Sequence, residues 1–106
     1  MPDTAKIREL NDQFRKTMSG GRIVVTNSIA TRGDLAEILA KVRDFETFDN
    51  GNDPHGEHDF GAFEADRDSI YWKIDYYDRA LSHGSPNPAD ESVTCRVMTV
   101  MLAEEY

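Results

Sequence analysis

Cysteine is all but missing from this chain. Cys95 is the only one among 106 residues, which excludes an internal disulfide and any metal site built from cysteines alone. No apolar run approaches the roughly 20 residues that a membrane-spanning helix needs. The opening MPDTAKIREL lacks the continuous apolar stretch of a secretory signal, so a cytoplasmic location without membrane contact is the expectation. Basic residues are scarce where acidic ones are dense. Residues 46–106 hold four Lys/Arg against fourteen Asp/Glu, whereas residues 1–45 hold eight against six, so the second part more than accounts for the net charge of −8. Such a surface repels nucleic-acid phosphates and attracts basic protein surfaces. A protein partner with a basic surface, such as a nucleic-acid-binding complex, is therefore expected rather than direct binding of nucleic acid.

What is present suits one globular domain over residues 1–106, with 39% hydrophobic and 30% charged residues. Ile7, Leu10, Phe14 and Met18 recur at helical spacing and predict a helix over 4–18, capped by Asp3 or Thr4 and stopped by Ser19-Gly20-Gly21. RIVVTNSI predicts a strand over 22–29. Thr26-Asn27-Ser28 is polar for a core strand and suits local turn or cap hydrogen bonds. Leu35, Ile38, Leu39, Val42 and Phe45 form one stripe and predict a second helix over 33–46. The turn formers of 49–56 predict a loop. An EF-hand reading of its acids fails, because counting from Asp49 the required Gly and Glu positions hold Pro54 and Phe60.

Residues 57–64 and 69–78 predict a hairpin around Ala65-Asp66-Arg67-Asp68. Ile70, Trp72, Ile74 and Tyr76 alternate with Tyr71, Lys73, Asp75 and Tyr77, and the even set reads as the core face. A tight turn pairs Phe63 with Ile70, Gly61 with Trp72, and His58 with Asp75. Pro86 and Pro88 forbid a helix over 79–89. Asp90 or Ser92 then caps an expected final helix to about Glu104, with Val93, Val97, Val100 and Met101 on its inner side. The predicted fold is α+β, in the order α-β-α-β-β-α, with a small, mainly antiparallel three-stranded sheet packed against helices.

Two features carry functional expectations. His55, Glu57, His58 and Asp59 lie within five residues, and Asp75 and Tyr77 are expected to face them across the hairpin. A hydrogen-bonded network fixing the loop accounts for the set. Metal binding and acid–base catalysis are its alternatives, the latter with His58 oriented by Asp75. The spacing matches no established zinc-protease signature. The other feature is an acidic and aromatic hairpin face, with Asp66, Asp68, Tyr71, Asp75, Tyr77 and Asp78 as interaction residues. No catalytic residue, cofactor or metal is assigned.

The strings DPHGEHDFGAF, WKIDYYD, SPNPAD and TCRVMTVMLAEEY together resemble the bacterial domain-of-unknown-function 3768 family, over roughly Phe45 to Tyr106. The first 40 residues match it in layout only. The resemblance implies a short single-domain bacterial protein and transfers no catalytic residues. By analogy with small acidic proteins of plasmids and phages, it suggests an anti-defence inhibitor (anti-CRISPR or anti-restriction) that mimics nucleic acid. The alternative function is a small hydrolase or metal-dependent enzyme using His55, Glu57, His58 and Asp75.

Overall fold

The computed structural model describes residues 3–106. Helix α1, Thr4–Thr17, buries Ile7, Leu10 and Phe14 on the side their spacing defines. The Asp3 carboxylate accepts a hydrogen bond from the Lys6 backbone N–H at 3.0 Å. The helix closes at Met18, whose left-handed φ of 56° lets its N–H reach the Phe14 carbonyl.

Strand β1 is Arg22–Val25, shorter than the expected 22–29. The Thr26 carbonyl accepts from the backbone N–H groups of both Ile29 and Ala30. That bonding turns the chain into a short helix α2, Asn27–Ala30, and carries Ile29 into the core. Helix α3, Leu35–Arg43, follows with Ile38 and Val42 fully buried.

Strands β2, Phe60–Ala65, and β3, Asp68–Tyr77, form the expected hairpin, with Gly61 opposite Trp72 and Phe63 opposite Ile70. Its two-residue turn places Asp66 and Arg67 at φ 46° and 74°, the twist that a tight hairpin requires. The expected start at residue 57 is corrected. His58 has φ 55°, which breaks the extended run, and its expected pairing with Asp75 does not form.

The largest correction concerns the C-terminal part. The expected helix over 90–104 is instead strand β4, Cys95–Leu102, between 3-10 turns at Glu91–Val93 and Ala103–Glu105. β4 runs parallel to β1 and antiparallel to β3, giving a mixed four-stranded sheet in the order β1-β4-β3-β2. Arg96, Met98 and Val100 are buried at a period of two, and Val97 and Thr99 add β-branched bulk between them. As a central strand, β4 satisfies both its own backbone edges and one edge each of β1 and β3. A helix there would leave those edges bare.

The chain is thus α+β, with its helices gathered on one side of the sheet. Phe14, Ile29, Ile38 and Val42 pack with Ile70, Trp72, Ile74, Met98 and Val100 in one core. The register places Phe60, Tyr71, Lys73, Asp75, Val97 and Val24 on the opposite side. None of α1, α2 and α3 lies over that side, although Met101 on it is buried. The C-terminal turn brings Tyr106 edge-on to Phe60 and Tyr71, at centroid distances of 6.1 and 5.7 Å. No helix among the described residues is long and apolar enough to cross a membrane.

Candidate functional site

Two polar residues interrupt the apolar side of α1. Asn11 and Arg15 follow Ile7 at helical i, i+4 and i, i+8 spacing, and both are fully buried. Asn11 bonds three ways. Its Nδ2 donates to the Tyr76 hydroxyl at 2.7 Å and to the Glu57 carbonyl at 3.0 Å, and its Oδ1 accepts from Arg96 Nε at 2.7 Å. The Tyr76 hydroxyl in turn donates to Glu57 Oε1 at 2.8 Å. Burial drives the Tyr76 pKa strongly upward, so the phenol stays protonated. Burial also lowers that of Arg96, whose guanidinium lies 5.3 Å from the Tyr76 ring centre and donates to the Pro88 carbonyl. This network ties α1, the 53–59 loop, β3 and β4 to one another.

Arg15 organises a second chain of contacts. Its Nη1 donates to the carbonyls of Val42 and Arg43 at 2.9 Å each; the Val42 carbonyl also accepts from the Phe45 N–H at 3.3 Å, so Arg15 reinforces the C-terminal end of α3. Its Nη2 lies 3.2 Å from Asp12. The Asp12 carboxylate also meets His58 Nδ1 at 2.9 Å, while His58 Nε2 faces Asp53 at 3.6 Å. The Asp53 carboxylate accepts the His58 backbone N–H at 3.1 Å. The His58 ring stacks on Phe48 at 3.8 Å with an interplanar angle of 5°. Both ring nitrogens therefore face carboxylates of the protein itself. Partial burial, then the nearby Glu57 charge, raises the Asp59 carboxyl above its ordinary value.

The residues singled out in the sequence separate into three places. Glu57 and His58 belong to the networks under the sheet, while His55 is exposed in the loop. Asp75 lies on the uncovered side, 2.7 Å from Lys73 Nζ. That hydrogen bond raises the Lys73 pKa. His55, Glu57, His58 and Asp75 do not converge on one cleft. Among the described residues, no group of three or more His, Cys, Asp or Glu is arranged to hold a metal ion.

Tyr71, Asp75 and Tyr77 share the uncovered side of β3. Asp66 and Asp68 sit at the hairpin turn, where Arg32 joins Asp68 to Asp34. The hydrogen bond from Arg32 holds the Asp34 carboxyl below the usual range. Glu104 flanks the same end, in a shallow pocket with Arg67 and Asp68. Asp78 lies at the far end of β3, where its carboxylate accepts from the Ser82 N–H at 3.0 Å and from the Ser82 hydroxyl at 3.2 Å. Sequence reasoning missed Asn11, Asp12, Arg15 and Arg96. The signal for Asn11 and Arg15 was available, since both occupy positions of an apolar helical stripe.

Fold and site together define a small α+β fold whose buried polar residues bond to one another and whose second sheet side is covered only by the C-terminal turn. The family model described as "Protein of unknown function (DUF3768)" matches residues 4–105. The chain belongs to that family. No curated protein and no solved structure matches it.

Proposed function

We propose that this chain is a non-enzymatic interaction protein that docks on a basic surface of a partner through the uncovered side of its sheet and the acidic hairpin end. The observation that carries this reading is the placement of α1, α2 and α3 on one side of the sheet, which leaves only the C-terminal 3-10 turn and Tyr106 against the other. The other side presents Tyr71 and Tyr77 beside Asp75, with Asp66, Asp68 and Glu104 at the hairpin end. Half-exposed tyrosines next to carboxylates suit protein recognition. The excess of acids in residues 46–106 suits a partner that ordinarily holds phosphates. Inhibition of a nucleic-acid-binding protein by mimicry, as in anti-restriction or anti-CRISPR action, is the form this function takes. The reading is preferred to a hydrolase or metal enzyme because His58 bonds inward and Asp75 lies on the other side of the sheet.

The test is a pull-down from host lysate at low and high salt, with wild type and an Asp66→Asn/Asp68→Asn/Glu104→Gln variant as baits. A partner lost at high salt and by the variant is expected, because exposed charges are screened within a Debye length of about 8–10 Å. Capture that ignores both salt and the substitutions would sink the proposal.

A further inference from the structure

We propose that the chain forms a two-fold dimer by antiparallel pairing of β2 with β2 of a second copy, centred on Ala62. The inference is independent of the docking reading above. β2 is the last strand of the sheet on its side. The Ile74 N–H bonds to the Asp59 carbonyl, which identifies 59/74 as a hydrogen-bonded pair. Alternation along an antiparallel ladder then makes 61/72, 63/70 and 65/68 the bonded pairs. The backbone N–H and C=O groups of Phe60, Ala62 and Glu64 consequently point away from β3. Among the described residues, none of these groups bonds to another part of the chain.

A second copy is the occupant that this edge fits. Pairing about Ala62 sets Phe60 opposite Glu64 of the second copy, Ala62 opposite Ala62, and Glu64 opposite Phe60. All the free donors and acceptors then meet, and no like charges are opposed. Centring on Glu64 would oppose two carboxylates. Centring on Phe60 would require His58, whose φ of 55° takes it out of the strand. Ala62 is exposed and small, so nothing bulky collides at the axis. On the helix side, Phe63 of each copy falls opposite Gly61 of the other, where the Trp72 indole covers the backbone and residue 61 has no side chain to collide with the ring. A groove lined by apolar Ala40, Phe45, Ala62 and Phe63 and by polar Lys41, Asp44, Glu46 and Thr47 runs beside this edge. FGAFEA contains no proline or bulge to block edge pairing, and Glu64 is its one charge.

Pairing of a six-residue edge buries less than the roughly 1,200 Å² of a standard interface, so association in the micromolar range is expected. The charge of −8 on each copy opposes it, so added salt strengthens the dimer, the reverse of docking on a basic partner. Sedimentation equilibrium over about 5–500 µM, the range in which weak complexes form, should show a mass rising from 12.0 kDa toward twice that value. Ala62→Pro removes only an outward N–H, and Ala62→Lys opposes two cations at the axis. Each should weaken association at least tenfold with an unchanged circular dichroism spectrum. If the proline variant fails to fold, the lysine variant carries the comparison, because residue 62 is exposed. Amide exchange at Ala62 should slow as wild-type concentration rises. A wild type monomeric at the top of the range would overturn the proposal. So would association unaltered in the folded variants, or Ala62 exchange independent of concentration.

Discussion

Replacing Gly61 by alanine asks the indole of Trp72 to move where it has no room. A Cβ at residue 61 would lie 2.3 Å from Trp72 Nε1, 2.6 Å from Cε2 and 2.8 Å from Cζ2. Atoms of this kind pack best about 3.5–4.0 Å apart, so the ring would have to retreat by about 1 Å. Trp72 is fully buried. Phe45 and Phe48 stand edge-on to it at 5.7 and 6.2 Å, and the Arg15 guanidinium lies 5.2 Å from the ring centre. Overpacking of this sort costs about 1–3 kcal/mol. The stiffer unfolded chain returns about 0.4–1 kcal/mol. The contacts are short and the walls closed, so the upper part of the range applies and the net loss is about 2 kcal/mol. With a urea m-value of about 1–1.5 kcal/mol per M for a domain of this size, the unfolding midpoint should fall by about 1.3–2 M. Trp72 is the only tryptophan, so its fluorescence reports the transition and the altered packing together. A midpoint within about 0.3 M of wild type, well inside the expected shift, would refute the reasoning.

Three further outcomes follow from the buried polar residues. Asn11→Ala removes the partner of Arg96 Nε and of the Tyr76 hydroxyl. It should cost about 2–4 kcal/mol, seen as a fall in Tm of about 10 °C or more; a change of a degree or two would show that the network relaxes around the gap. Arg15→Met uncaps the Val42 and Arg43 carbonyls and strips Asp12 of its guanidinium. A loss of about 3 kcal/mol in urea unfolding is expected, and a neutral effect would show that packing alone holds α3. Asp59 bears on pH. Its folded-state pKa is raised, mainly by burial, so the folded protein favours the protonated form and the ionised form costs stability at neutral pH. That cost disappears as pH falls through the folded value toward the unfolded value of about 3.9. Asp59→Asn should therefore raise the urea midpoint near pH 7, with the gain shrinking toward pH 4. A gain of equal size at both pH values would contradict the assignment.

How well each element was legible follows from how local its causes are. The α1 stripe, the α3 stripe and the 60–77 hairpin depend on spacing and turn chemistry within a few residues, and all three were readable. The register of the hairpin, Gly61 against Trp72 included, followed from the length of its turn. The failures lie where distant residues decide. Thr26 looked like the continuation of a strand until its carbonyl took two helical hydrogen bonds and its hydroxyl reached Glu105 at 2.9 Å. His58 looked like a strand residue facing Asp75, but contacts with Asp12 and Asp53 hold it in a left-handed turn.

The sequence by itself determined an α+β class, the faces of α1, α3 and β3, and an acidic second part, because each is set by composition or by periods of two and 3.6. Tertiary structure alone decided that Cys95–Leu102 is a strand. The apolar spacing of Val93, Val97, Val100 and Met101 admits a helix. The two edges that make a strand preferable belong to β1, more than 70 residues earlier in register, and to β3. The same decision turned Arg96 inward to meet Asn11 and left one side of the sheet to the C-terminal turn alone. Unpaired backbone edges are the physical reason. A helix satisfies its own hydrogen bonds locally, whereas a strand waits on partners that no stretch of sequence contains.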